Sequence, residues 1–352
     1  MHITKLFPLA LCLLFIAHAQ SNLESSLSTI PSEATGFAFS DWDLILEDLN
    51  TNRAQLYKDE VRENFFRAVF EVHAIPTRSF QYSFSNRDVW GWDSVDLSWE
   101  IDVWGLDGQV SILKFHDHFD FSELEHHFAE LGFIPENYKS ANIYHLDADE
   151  VLTNSLPGTE HTAILESQKL MVLSPSPDLS KEVVDTILGT HASAQGNTLI
   201  TSLIDDWQNP LVALVDFSPA VCESQSLEAM MSDEQEQKEV KESYALSSLQ
   251  PYEALGLAYT FESKNFIKTP VAVFSLSFST EQAAEADLVP RQALMETGFS
   301  ILTGHPISDV LFQLDSAEVS GQHLLFRGSP AHEVRRLLQM IYNRDLLFAV
   351  CP

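Results

Sequence analysis

Positive charge is what this chain has least of. Its 352 residues hold 20 Lys and Arg against 51 Asp and Glu, a formal net charge of −31. A field of that sign repels phosphate backbones and anionic headgroups, which sets aside nucleic acid as a partner. The acids are scattered, not blocked, as on a solvated surface. Cysteine is scarce as well, with three in all, so a disulfide-dense miniature scaffold and a Cys-rich zinc module are excluded. No Asn-x-Ser/Thr acceptor occurs, which favours bacterial export over a eukaryotic secretory route. Also missing are G-x-S-x-G, H-E-x-x-H, G-x-x-x-x-G-K and G-x-G-x-x-G, so nucleophile-elbow, zincin and nucleotide-binding chemistry have no local signature.

Long apolar runs are absent apart from Leu6 to Ala17, which is shorter than the roughly 20 residues that span a bilayer. Lys5 precedes that run and Ala17-His18-Ala19 closes it, the layout of a secretory signal peptide at 1–19 cleaved near Ala19. Cys12 lies in "LALC", but bulky Leu11 and the apolar residues after it suit the middle of a signal better than a lipoprotein site. The expected location is secreted, periplasmic or cell-surface, with no transmembrane segment in the mature chain. What is present in quantity is apolar side chain: 45% hydrophobic residues and 11% aromatics, enough for a substantial core.

The chain also repeats itself. "ESQKLMVLSPSPDLSKEVVDTIL" (166–188) aligns without a gap on "VSGQHLLFRGSPAHEVRRLLQMI" (319–341). Each reads as a turn, an apolar strand (Leu170 to Leu173, His323 to Phe326), a Ser-Pro (Ser176-Pro177, Ser329-Pro330) and a helix. Serine oxygen caps free N–H groups, and proline suits a first helical position that needs no N–H. Upstream, "LSWEIDVWGLDGQVSILKF" and "LAYTFESKNFIKTPVAVFSLSF" read as hairpins, each followed by a helix ending near Gly132-Phe133 or Gly298-Phe299. Downstream, "PLVALVDFSPAVC" and "DLLFAVC" end alike, with extra residues in the first copy placed at 189–210.

The predicted fold is therefore α+β: two similar halves, each a largely antiparallel sheet with helices on one face, arising by internal duplication. The divisions are a first half with an N-terminal extension (20–222), an acidic connector (223–250) and a second half (251–352). Cys222 and Cys351 occupy equivalent places, so a bridge between them is expected to tie the two final strands together. Closing so long a loop stabilises by roughly 4–5 kcal/mol in chain-entropy models.

Four of the thirteen histidines crowd into "KFHDHFDFSELEHHF". His116 and His118 share a face if the strand continues, and they anchor the metal reading, with Asp117, Asp120 or His127 as a third ligand. The helix after them turns His126 away from its Phe121-Leu124-Phe128-Leu131 stripe and leaves His127 on the flank. Asp120 as N-cap, Glu123 at the third helical position and a Phe119–Leu124 staple explain the same residues without an ion. "DWDLILED" (41–48) and Asp147 to Glu150 hold acids for calcium but lack an EF-hand's glycine and spacing. Asp205-Asp206 sit side by side in one element and point apart. Trp90, Trp92 and Trp99 either pack a sheet face or line an aromatic ligand groove.

The pieces "FSDWDLILEDL", "DLSWEIDVWG", "FDFSELEHHFAELGFIPENYKSANIYHLD" and "RDLLFAV" together resemble a loose group of uncharacterised exported bacterial proteins, signal- or lipoprotein-anchored. That resemblance implies no activity, and it stresses Phe119, Asp120, Gly132 and Tyr144, not the histidines. The expectation is an exported, non-catalytic protein without a cofactor, binding a ligand or protein partner through its α+β scaffold. The alternative is an extracellular metal-assisted hydrolase using the His116/His118 region.

Overall fold

The computed structural model describes residues 21–146, 160–207, 209–264 and 267–352; the signal segment and Asp147 to Glu150 lie outside the described residues. The chain begins α1 (Asn22–Ser26), β1 (Gly36–Asp41), α2 (Trp42–Asp48), α3 (Asp59–Val72), α4 (Arg78–Trp90), β2 (Leu97–Leu106), β3 (Gly108–Phe115) and α5 (Phe121–Glu130). It continues β4 (Ile134–Tyr138), β5 (Ala141–His145), β6 (His161–Leu165), β7 (Leu170–Ser174), α6 (Pro177–Ile187), α7 (Thr198–Asp205) and β8 (Val212–Asp216). Three helices follow, α8 (Val221–Ser224), α9 (Leu227–Met230) and α10 (Glu234–Ser243). The chain ends with β9 (Ala254–Lys264), β10 (Ile267–Ser277), α11 (Glu281–Thr297), α12 (Ile307–Val310), β11 (Phe312–Ser320), β12 (His323–Pro330) and α13 (Arg335–Tyr342).

All twelve strands join one sheet in the order β11-β12-β10-β9-β8-β1-β2-β3-β7-β6-β5-β4. Every neighbouring pair is antiparallel. The fold is thus α+β. Strand alternation produces two cores. Val110 and Ile112 of β3 face the back, with Val172, Val183, Val184, Ile200 and Leu203. Leu113 and Phe115 face the front, with Phe121, Phe128, Phe274 and Phe348. The N-terminal extension is no appendage, because β1 lies between β2 and β8 at the middle of the sheet.

Two local expectations need correcting. Helices cover both faces of the sheet: α11 and α13 pack at the front, α6 and α7 at the back, where α7 lies against β10 and bonds His323 of β12 through Ser202. The cause is the exit from each strand. Ser176 caps α6, accepting the Leu179 N–H at 3.2 Å with Pro177 in the first turn, and the helix turns back at once. Ser329-Pro330 instead remains in β12, paired with Gln313 and Phe312, and α13 begins only at Arg335.

Cys222 and Cys351 form a disulfide with Cα atoms 5.4 Å apart. It does not join two strands. Cys222 is in short α8, and Cys351 follows a 3₁₀ turn, Leu347–Ala349, in a buried tail. The tail is held by Arg291, itself fully buried, whose guanidinium donates to Phe348 O at 2.8 Å, Val350 O at 3.0 Å and Asp287 at 2.6 Å. The tail's only ladder contact among the described residues is an isolated parallel bridge of Cys351 to Ser226, with Cys351 N–H donating to Gln225 O at 3.0 Å.

Candidate functional site

Trp90, Trp92 and Trp99 line no open groove among the described residues. They are 2%, 1% and 4% exposed. Trp90 closes α4 and stacks edge-on against Phe128 and Phe133, Trp92 meets Phe115, and Trp99 faces the back core against Phe39. They are core side chains.

The histidines of the 114–128 stretch do not converge either. β3 ends at Phe115, so His116 and His118 lie in the turn beyond it, with ring centroids 6.5 Å apart. His116 has both nitrogens engaged: Nε2 meets the Tyr57 hydroxyl at 3.1 Å, and Nδ1 accepts the His118 N–H at 3.2 Å. Burial pulls its pKa down to about 4, so the ring is neutral at pH 7. Asp120 caps α5 as its sequence suggested, accepting the Ser122 N–H at 2.9 Å. His127 bonds Val89 O, and exposed His126 faces Glu130. Among the described residues no third ligand joins His116 and His118.

The site with the better geometry lies on the front face, where α13 leans across the α3–α4 connection. A cleft of about 440 Å³ opens there. Its floor is apolar: Ala74, Ile75, Phe80 and Leu338. Phe70 and Tyr342 flank it, and they remain 58% and 60% exposed. α13 supplies this wall because Leu337, Leu338 and Met340 turn inward while Arg335 and Gln339 reach the opening. Arg335 sits over the Phe70 ring, 5.9 Å from its centroid, and pairs with Glu333.

His73 bounds the same cleft with a fixed ring. Tyr259 OH accepts the Ala74 N–H at 3.2 Å and shares a hydrogen bond with His73 Nδ1 at 3.1 Å. His73 Nε2 faces Asp48 at 3.4 Å but makes no hydrogen bond. Burial lowers the His73 pKa to about 4, outweighing Asp48, so the imidazole is neutral.

Beneath the start of α4 the sheet holds two buried carboxylates. Glu100 accepts from the Thr77 and Ser79 hydroxyls. Asp102 accepts the Arg78 N–H at 2.7 Å and the Ser111 hydroxyl, with Arg78 Nε 3.6 Å away. Burial pushes both carboxyls up, Glu100 far up, and each group of donors works against it.

No family model and no curated protein matches the chain. Solved structures do. Crystal form I of TP0453, from Treponema, aligns with 91% of this chain and 97% of that chain at 11% identity, with a TM-score of 0.44. Crystal form III of TP0453 covers 90% and 96% at 10% identity, with a TM-score of 0.38. Likeness at that level carries no functional inference.

The sequence singled out none of the cleft residues, because three separated segments build it. Glu100 and Asp102 were passed over for a related reason. Alternation puts them opposite Trp99, Ile101 and Val103, a face that reads as wet until α4 covers it. The one local clue was Thr77-Arg78-Ser79 at the start of α4, three donors with nothing nearby in sequence to serve.

Proposed function

We propose that this is an extracytoplasmic, non-catalytic binding protein whose front cleft takes a small molecule with an apolar body and an anionic or hydrogen-bond-accepting end. The observation that carries the reading is the pair of exposed aromatic rings, Phe70 and Tyr342, flanking an apolar floor with Arg335 at the opening. Concave, mainly apolar space of a few hundred Å³ with few polar groups is the usual form of a ligand site. The neighbouring polar groups favour binding over chemistry, since His73 Nδ1 is held by Tyr259 and Glu100 by Thr77 and Ser79, while His73 Nε2 is buried 3.4 Å from Asp48 without a hydrogen bond. An exported location accords with the Cys222–Cys351 disulfide and the signal-like start; no described helix is long and apolar enough to cross a membrane.

Duplication belongs to the same proposal. The order β2-β3-β7-β6 has a counterpart in β9-β10-β12-β11. At matching points Phe115 N–H donates to Lys169 O at 2.8 Å, and Phe278 N–H to Gln322 O at 2.9 Å. The placement of α6 and α13 on opposite faces then marks where the copies have diverged, and the front cleft belongs to the later copy's helix.

The test uses 8-anilinonaphthalene-1-sulfonate, an aromatic anion of suitable size, titrated into the full chain with fluorescence readout. One saturable site is expected, weakened at least fivefold in Phe70→Gln and Tyr342→Gln. Val289→Gln, at a position 72% exposed on α11, serves as the control and should bind as the parent does. Equal binding by all three variants would remove the cleft from consideration.

A further inference from the structure

A second cluster lies away from the front cleft, beside the back-face helix α6, and no local motif announces it. Glu33 comes from the loop before β1, Glu182 from α6, and His191 from the loop after α6. One ligand atom from each lies within 4.8 Å of the other two. His191 Nε2 already meets Glu33 Oε2 at 2.9 Å. The Glu182 carboxylate stands beside both Glu33 and His191, repelled by the first and attracted by the second.

The two loops that carry Glu33 and His191 are fastened to each other. Ser32 N–H donates to Ala192 O at 3.1 Å, Ala194 N–H donates to Ile30 O at 2.8 Å, and Pro31 bridges to Ser193. The α6 end is held independently, with Thr190 N–H on Asp185 O at 2.8 Å and Lys139 joining Asp185 to the Thr190 hydroxyl. Three donors from two anchored segments therefore face one point.

We propose that Glu33, Glu182 and His191 form a divalent-metal site for an ion of the zinc or manganese class. Two carboxylate oxygens and one imidazole nitrogen suit such an ion, whereas calcium and magnesium favour larger all-oxygen sets. Three protein ligands leave at least one position for water, the arrangement of an open site. Binding replaces the Glu33–His191 hydrogen bond with two metal bonds and gives Glu182 a direct bond to a cation. The ion clamps the segment entering β1 to α6, across the back core.

The experiment is isothermal titration of the metal-free full chain with ZnCl₂ and MnCl₂ at pH 7.5, with MgCl₂ as the hard-ion comparison. The expected result is one equivalent of zinc or manganese bound, at least tenfold more weakly in Glu182→Gln and in His191→Ala, and unchanged in His116→Ala. All three substitutions fall at half-buried or exposed positions, and circular dichroism without metal checks that each variant is folded. Absence of saturable binding by the parent overturns the proposal. So does binding that survives in both Glu182→Gln and His191→Ala, or that is lost in His116→Ala alone, which would move the ion to the turn after β3.

Discussion

Asp41 ends β1 and opens α2, and it is only 3% exposed. In the sequence it looked like one acid of a calcium-suited run; in the fold it is a helix cap. Its carboxylate accepts the Leu44 N–H and the Asn22 amide, both at 3.0 Å. Burial nevertheless prevails and lifts its pKa to about 7. The unfolded value is about 3.9, so between these limits the folded state holds a proton that the unfolded state has released. Stability contributed here falls as pH rises from about 4 through 7. Asp41→Asn keeps an oxygen for the cap and removes the charge. In urea unfolding the variant should exceed the parent at pH 8 by at least about 1 kcal/mol and converge with it near pH 4. A variant less stable at pH 8 would show that the charge is needed. His73 works in the other direction: held neutral with a pKa of about 4, it costs stability as pH falls below about 6.5. The two groups together narrow the pH range of greatest stability from both sides.

Elements were legible where their cause was local. Asp120 and Ser176 cap helices because each side chain reaches an N–H two or three residues on, a distance visible in sequence. The "DVWGW" segment was not legible as a helix end, because its aromatic spacing fits strand parity equally well and only packing on Phe128 and Phe133 decides. The cleft was hidden more deeply, since α3, α4 and α13 have no mutual signal along the chain. The C-terminal tail shows the consequence at this scale. Its apolar run resembled a final strand, yet Arg291, Tyr252 and the disulfide hold it as buried coil. Because the bridge closes 129 residues, the Cys222→Ser/Cys351→Ser double variant should lose about 2–5 kcal/mol in urea unfolding. The same loss is expected of the parent under a phosphine reductant. Unchanged midpoints in both would mean that Arg291 and the packed aromatics hold the tail unaided.

For the molecule as a whole, composition told more than any motif, and its clearest consequence is electrostatic. A net charge of −31 is a self-repulsion that the compact state feels more strongly than the expanded chain. Opposing it are surface ion pairs such as Arg67–Glu63 and Lys238–Glu242, each at 4.0 Å and well exposed, which contribute little. Buried pairs such as Arg291–Asp287 are shielded from solvent ions. Salt should therefore weaken the repulsion more than it weakens the attractions. At 0.01 M ionic strength charges interact over about 30 Å, and at 1 M over about 3 Å. The urea midpoint at pH 8 is expected to rise steadily between those limits in NaCl. Chloride is preferred to sulfate, which also strengthens apolar burial and would confound the reading. A midpoint that falls with NaCl would place the balance on the side of the ion pairs and make the acidic surface a stabilising network. Zinc supplies a separate control: if the Glu33–Glu182–His191 cluster alone responds, a micromolar addition should raise the midpoint once, where NaCl acts gradually on every carboxylate.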